Sequence, residues 1–429
     1  MEKLFGNYIN AIDEILEKGN SIQSFSSQSN RLPNYLNKAL VLEGRNTVGV
    51  EAISYNEKNK VLIEFDENHL EKLFGRNRSK LDHIAIGSHP DFENIQHFEF
   101  ENHYCVTMFM DIVGSTRLNE KYSLQDIRKI KDTILTLAIK VAHFFGGHIH
   151  RLQGDGIMLQ FVRRGQKESD AVINALNTAS VLAQFISTDL STVFEKQGIK
   201  PLRVRVGVDL GFKEDVIWSH YGLIGCSELT TTSLHTDLAA KLQAQSKSNG
   251  IYIGGNIKEI LDLNPAFLND ILDENGQIDP YIYKGNQNNY RKYNFNWQKY
   301  LKTFDFIRVN NLNLEFNIPH YRLKCTLHKE DQVNEYFQNS YSIQKGIQIK
   351  FELLENNLPY RKKDFEIIEW KIYNFGKEAT NNEILILDGD KNSISCTATS
   401  AYKGHHYVEC TLKRTHLTNQ KVRFSVFVD

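Results

Sequence analysis

No apolar stretch of the chain is long enough to cross a bilayer, and the opening Met1-Glu2-Lys3-Leu4 lacks the charged start and apolar run of a signal peptide. The expected setting is therefore cytoplasmic, with no membrane partner. Cysteine is sparse. The five cysteines (Cys105, Cys226, Cys325, Cys396 and Cys410) are odd in number and widely scattered, which argues against a disulfide framework. No CxxC or Cys/His spacing suggests zinc, and Cys105 reads as a buried, reduced thiol. Charge of one sign is also missing. A net charge of −1 gives no general basic field for long nucleic acids, although a small anion needs only a local positive pocket. Proline is rare at seven residues, a bias that goes with abundant Asn, Lys and Ile and carries no mechanism. There is no internal repeat and no low-complexity tract.

What is present is an ordinary globular balance, 41% apolar and 24% charged, over 429 residues, enough for two or three domains. Phe5, Tyr8, Ile9, Ile12, Ile15 and Leu16 predict an amphipathic helix over residues 1–20, stopped by Gly19. A Ser/Gln/Asn-rich linker over 21–30 and a mixed region follow, with a strand pattern at 60–65 and no evident chemistry.

From Tyr104 the pattern becomes α/β. A strand runs into Asp111, and Ile127, Ile130, Ile134, Leu137, Val141 and Phe145 predict a long helix, capped by Ser123 and Asp126 and stopped by Gly146-Gly147. Next come a hairpin around Asp155, a helix through Val172 and Ile186, a strand at 202–209, a helix at about 238–245 and a strand at 251–253. This β-α-β-β-α-β order is the ferredoxin-like palm. Beyond Trp297, short strands separated by Asn, Gly, Asp and Lys predict a β-sandwich of about 90–130 residues.

Two aspartates carry the chemistry. Asp111 closes the strand from Tyr104 and opens the turn Ile112-Val113-Gly114-Ser115-Thr116. Asp155 lies in Gly154-Asp155-Gly156 between two alternating segments, at the tip of a tight hairpin. A carboxylate at a strand end beside one on a hairpin suits a two-metal phosphoryl-transfer site. Taken singly, Asp111 also fits a helix cap and Asp155 a turn.

Phe109 to Thr116, with Gly154-Asp155-Gly156 following and then Arg203 to Val208, resembles the catalytic core of class III nucleotide cyclases. The resemblance implies that Asp111, Asp155 and the carbonyl of Ile112 hold two divalent cations, Mg²⁺ or Mn²⁺. It also implies that amides of Val113, Gly114, Ser115 and Thr116 cradle a triphosphate at the start of a helix. Arg151 stands where purine cyclases commonly place a base-reading Lys, and Thr230 aligns with the second base contact. Asp237 and Lys241 replace the usual Asn and Arg, and the late triphosphate lysine matches Lys284. Asp237 also fits a helix N-cap and Lys241 a solvated surface residue. Tyr104 suits either the wall of a base pocket or the core.

Thr230 to Gln243, Ile86 to Phe92, Trp370 to Gly376 and Ala401 to Cys410 are similar to the pyrimidine cyclases of Pycsar antiphage systems and their sensor-type C-terminal domain. Residues 1–100 are then an N-terminal region, 101–298 a catalytic domain and 299–429 the sensor-type sandwich. The resemblance implies a homodimer with Asp111 and Asp155 from one subunit and Arg151, Thr230, Asp237 and Lys241 from the other. Lys241 then acts on the reacting phosphate. The expected reaction is UTP to 3′,5′-cyclic UMP and pyrophosphate, with CTP to cyclic CMP as the alternative, the product serving a downstream effector in antiphage defence. Rival readings are an adenylate cyclase with an unusual base pocket, a nucleotide-binding sensor without turnover, and a diguanylate cyclase. The missing Gly-Gly-Asp-Glu-Phe-like run argues against the last.

Overall fold

The computed structural model describes residues 67–283, 288–310, 313–316, 319–379, 384–386, 392–414 and 418–429, with residues 9, 12 and 13. The expected strand at 60–65, and all but those three residues of the expected N-terminal helix, lie outside the described residues. Residues 67–429 belong to one compact unit.

The strands of its first part are β1 (Phe100–Asn102), β2 (Cys105–Ile112), β3 (His148–Gln153), β4 (Gly156–Phe161), β5 (Val204–Gly211) and β6 (Ile217–Leu223). They continue with β7 (Cys226–Thr232), β8 (Ile251–Gly254), β9 (Leu268–Asp270), β10 (Tyr281–Tyr283), β11 (Asn288–Tyr290) and β12 (Lys292–Phe295). Seven form a central sheet in the order β3-β4-β2-β5-β8-β12-β9, antiparallel except for the β5–β8 pair. The predicted β-α-β-β-α-β core is present. It also carries an insertion that the periodicity did not separate, since β6 and β7 pair with β1 in a three-stranded sheet of their own.

The Leu124–Phe144 helix begins where predicted, with the Ser123 hydroxyl accepting from the Asp126 amide at 3.2 Å. Its face of Ile127, Ile130, Ile134, Leu137 and Val141 is buried, and each such side chain contributes about 1.5–3 kcal/mol. The Leu234–Gln245 helix starts one turn earlier than predicted. Ser233 is its N-cap, accepting from the His235 amide at 3.2 Å, so Asp237 lies inside the helix and the capping reading is overturned. This helix lies almost against β5. A Cβ added to Gly207 would stand 2.2 Å from both the Ala239 carbonyl and the Gln243 amide, so only glycine permits that approach.

The Glu168–Ser187 helix is buried along nearly its whole length, polar residues included. The β-sandwich explains why. Asn177 Nδ2 donates to the Asn339 carbonyl at 3.0 Å, and the Asp170 carboxylate accepts from the Ser342 amide at 2.7 Å. The sandwich has two five-stranded sheets, one built on Tyr321–Lys329 and Gln348–Glu355, the other on Ile367–Tyr373, Gly404–Lys413 and Gln420–Val428. Trp370, Tyr336, Phe351 and Phe424 fill the space between them. Among the described residues no helix is long and apolar enough to cross a membrane, and all five cysteines are free.

Candidate active site

The two aspartates of the motif meet. β2 pairs with β4 in a register that places Met110 opposite Ile157, so Asp111 leaves β2 beside the β3–β4 turn. Gln153 pairs with Gly156, which makes Gly154 and Asp155 a two-residue hairpin loop. Gly154 takes the positive φ (65°) that such a turn requires at its first position. Gly156 serves differently. A Cβ there would approach the Met110 carbonyl at 3.2 Å and Asp111 Oδ1 at 3.8 Å, so its bareness lets the two strands bring their carboxylates together.

Cations flank this pair. Arg205 on β5 lies directly across the register from Asp111, and its Nη2 donates to Asp111 Oδ2 at 2.7 Å. Lys131 of the Leu124–Phe144 helix stands 3.6 Å from Asp155 Oδ1. Burial pushes the Asp111 carboxyl above the ordinary carboxylate range; Arg205 opposes that rise and the neighbouring Asp155 adds to it. Burial acts the same way on Asp155, but the Ser115 hydroxyl, Asp111 and Lys131 outweigh it and hold that group below the range. Carboxylates this close titrate as a pair.

Asp155 Oδ2 is buried without a hydrogen-bond partner among the described residues, as is Arg205 Nε. An orphaned carboxylate oxygen beside a second carboxylate is the donor set that hard divalent cations take, so the residues present fit the expected metals. Among the described residues no cluster of three or more His, Cys, Asp or Glu side chains could hold an ion, so the remaining ligands would be carbonyl, phosphate or water oxygens.

The turn after Asp111 departs from expectation. Gly114 is left-handed (φ 70°), and Ser115–Glu120 is a short 3₁₀ segment, so the long helix does not begin at this turn. The Val113 amide is already spent on the Arg203 carbonyl at 2.8 Å, which leaves Gly114 to Thr116 as the amides of this loop that a ligand could use.

Arg151 and Thr230 stand together on β3 and β7. Arg151 Nε donates to Glu228 Oε1 at 3.0 Å, and its Nη2 pairs with the other oxygen of the same carboxylate. Buried His150 joins Thr230 Oγ1 at 3.0 Å on one side and the Gly87 carbonyl at 3.1 Å on the other. Asp237 and Lys241 are exposed, and Lys241 Nζ donates to the Tyr281 hydroxyl at 2.7 Å. Among the described residues no hydrogen bond or ion pair joins Asp237 or Lys241 to Asp111 or Asp155. Tyr104 is buried, and its hydroxyl meets the Arg163 amide and carbonyl at 3.2 and 3.3 Å, so its packing is that of a core aromatic. Lys284 lies outside the described residues.

Sequence reasoning missed Arg205, Lys131 and Glu228. Arg205 left a trace, a charged residue alternating with Val204 and Val206 in an otherwise apolar strand. Also unforeseen is a buried carboxylate, Asp209 on β5. Its Oδ2 accepts from His235 Nδ1 at 2.9 Å, and its Oδ1 accepts from the Tyr290 hydroxyl at 2.7 Å. Tyr290 pairs across β10–β11 with Tyr281, so Asp209 is tied both to the helix bearing Lys241 and to the strand pair that meets it.

Residues 289–429 match the family described as the Adenylyl/Guanylyl and SMODS C-terminal sensor domain. A cytidylate cyclase of Staphylococcus aureus is 35% identical over 367 residues, covering 83% of this chain and 85% of that protein. A cytidylate cyclase of Escherichia coli is 29% identical over 414 residues, 87% of this chain and 85% of its own length. Among solved structures, the adenylyl cyclase CyaB of P. aeruginosa aligns with 46% of this chain and 95% of its own, at 20% identity and a TM-score of 0.39. With relatives of that identity and coverage, the chain is a nucleotide cyclase and belongs to the pyrimidine cyclase family.

Proposed function

We propose that this cyclase converts a pyrimidine nucleoside triphosphate, CTP in preference to UTP, into the 3′,5′-cyclic monophosphate and pyrophosphate. The observation that carries the reaction is the convergence of Asp111 and Asp155, with one buried Asp155 oxygen lacking a partner. Asp111, Asp155 and the Ile112 carbonyl would hold the divalent cations, Mg²⁺ or Mn²⁺. When bound, these lower the pKa of the ribose 3′-hydroxyl and neutralise the leaving phosphates. Ser115 and Lys131 keep Asp155 ionised and oriented. Arg205, with one free N–H beside Asp111, is placed to take a phosphate oxygen, and Gly114 to Thr116 offer amides. Lys241 supplies a point charge for the reacting phosphate and Asp237 an acceptor for the ribose. These two residues belong to the partner subunit's contribution, with Arg151 and Thr230, in a C₂ homodimer.

The base preference rests on the Arg151–Glu228 pair. Along its pairing edge cytosine presents two adjacent acceptors, O2 and N3, and then an amino donor. A guanidinium fork beside a carboxylate matches that run. Uracil alternates acceptor, donor, acceptor, which Arg151 and Thr230 alone accept but which uses the fork less fully. That both relatives reported above are cytidylate cyclases supports the same choice. We assign residues 101–298 to catalysis and 299–429 to a sensor-type domain, and propose that the product acts as a second messenger for an antiphage effector.

Mixing inactive Asp111→Ala and Lys241→Ala chains tests the shared site, because a hybrid dimer retains one intact site. Recovered activity is expected, and none would place all the residues in one subunit. Initial rates with CTP and UTP separately test the base, and a higher rate with UTP contradicts the preference.

A further inference from the structure

At one end of the sandwich, where the turn after the Trp297–Leu301 helix meets the Gln420–Val428 strand, lies a cavity of about 770 Å³. That is the size of a small-molecule site, and a junction between packed layers is a usual place for one. Its lining is strongly one-sided in charge. Lys302, His320, Arg414, Lys421 and Arg423 face it, and among the described residues Asp305 is the only lining carboxylate. Most of these side chains have carboxylate partners: His320 meets Glu355, Arg414 pairs with Glu366, and Lys421 and Arg423 share Glu409. Lys302 pairs with no carboxylate among the described residues. Positive charge is therefore in excess at the cavity wall.

Asp305 is the second observation. Its Oδ2 accepts from Arg322 Nε at 3.1 Å, whereas Oδ1 is buried without a hydrogen-bond partner among the described residues. Its side chain is only 3% exposed, so this oxygen stands desolvated at the lining of a basic cavity, a cost that a ligand donor would remove. The ring of Tyr321 provides a flat wall, with the Arg414 guanidinium 5.1 Å from its centroid. An anion-binding rim, an aromatic wall and a buried acceptor together suit the phosphate and the base of a nucleotide.

We propose that this cavity binds a nucleotide, with Lys302, Lys421 and Arg423 taking the phosphate and Asp305 accepting an N–H of the base. This site is separate from Asp111 and Asp155 and does not depend on the proposed substrate. It is also tied to the catalytic layer. Thr303, in the cavity wall, accepts from Asn339 Nδ2 at 3.1 Å, and the Asn339 carbonyl accepts from Asn177 of the buried Glu168–Ser187 helix at 3.0 Å.

Equilibrium dialysis of the full chain carrying Asp111→Ala and Asp155→Ala, in a metal chelator, silences the catalytic site. The probes are CMP, 3′,5′-cyclic CMP, CTP, AMP, ATP and inorganic pyrophosphate, which separate product, substrate and purine sources of the same chemistry. At least one nucleotide is expected to bind saturably and more tightly than pyrophosphate. Adding Lys302→Glu and Lys421→Ala, which leaves Arg423 to neutralise Glu409, should weaken that binding by at least about tenfold with an unchanged melting temperature. Asp305→Asn should remove the advantage over pyrophosphate. The proposal is overturned by absence of saturable binding, by equal affinity in the lysine variant, or by pyrophosphate binding as tightly as every nucleotide.

Discussion

Arg205 Nη2 stands 2.7 Å from Asp111 Oδ2, directly across the β2–β5 register, while its Nε has no hydrogen-bond partner among the described residues. The guanidinium thus holds the carboxylate with Nη2 and the Ala244 carbonyl with Nη1 at 3.2 Å, and keeps its Nε donor in reserve. Arg205→Met is expected to lower kcat/KM by about 10–100-fold, and Arg205→Lys to recover only part, since lysine restores charge without the planar fork. Steady-state kinetics at saturating metal check this. Unchanged kcat/KM in Arg205→Met would reduce the contact to resting charge balance.

Asp111→Asn and Asp155→Asn keep the shape of each side chain and remove its charge. Each is expected to cut cyclisation by at least ~100-fold, the scale seen when a group stabilising transition-state charge is lost. Thermal melts should stay near wild type, because each change also relieves repulsion between the carboxylates. Either variant keeping most of its activity would remove the pair from the reaction.

Glu228→Gln leaves Arg151 in place without its carboxylate partner. The ratio of CTP to UTP turnover should fall, and the metal concentration for half-maximal rate should not move. Arg151→Lys should alter the same ratio. Equal losses on both substrates in both variants would take this pair out of base recognition.

His235 gives a stability prediction with a definite sign. Burial lowers its pKa, but the hydrogen bond to Asp209, the charge of Asp209 and that of Asp215 outweigh burial and hold it above the ordinary imidazole value. A raised folded-state pKa contributes stability that is complete below the unfolded value of about 6.5 and is lost as pH rises through the folded value. His235→Gln should therefore cost most at pH 6, about 3–5 kcal/mol for a broken buried pair, and progressively less toward pH 9. Urea unfolding of both proteins across that range checks it, and a pH-independent difference would mean that His235 is neutral throughout.

How much was legible in the sequence depended on the range of the forces involved. Asp111 and Asp155 were readable because a strand end and a Gly-Asp-Gly hairpin are local grammar, and so was the Ser123 cap. The start of the Leu234–Gln245 helix was not, because Thr230 to Thr232 extend as strand until Ser233 turns the chain, and the apolar face becomes regular only at Leu238. Arg205, Lys131 and Glu228 reach their partners across 94, 24 and 77 residues, so only the sheet register and helix packing reveal them. The Glu168–Ser187 helix looked one-sided because its second face is buried by polar side chains partnered from the sandwich, which hydrophobic periodicity does not count.

A single competition tests the pyrimidine chemistry of Asp111 and Asp155 most directly. The purified protein is incubated with equimolar ATP, GTP, CTP and UTP and Mn²⁺, and the products are separated and weighed against released pyrophosphate. The expected product is a cyclic pyrimidine monophosphate, cyclic CMP ahead of cyclic UMP, in stoichiometric balance with pyrophosphate and absent when Asp111 and Asp155 are replaced. Cyclic AMP or cyclic GMP as the main product would contradict it.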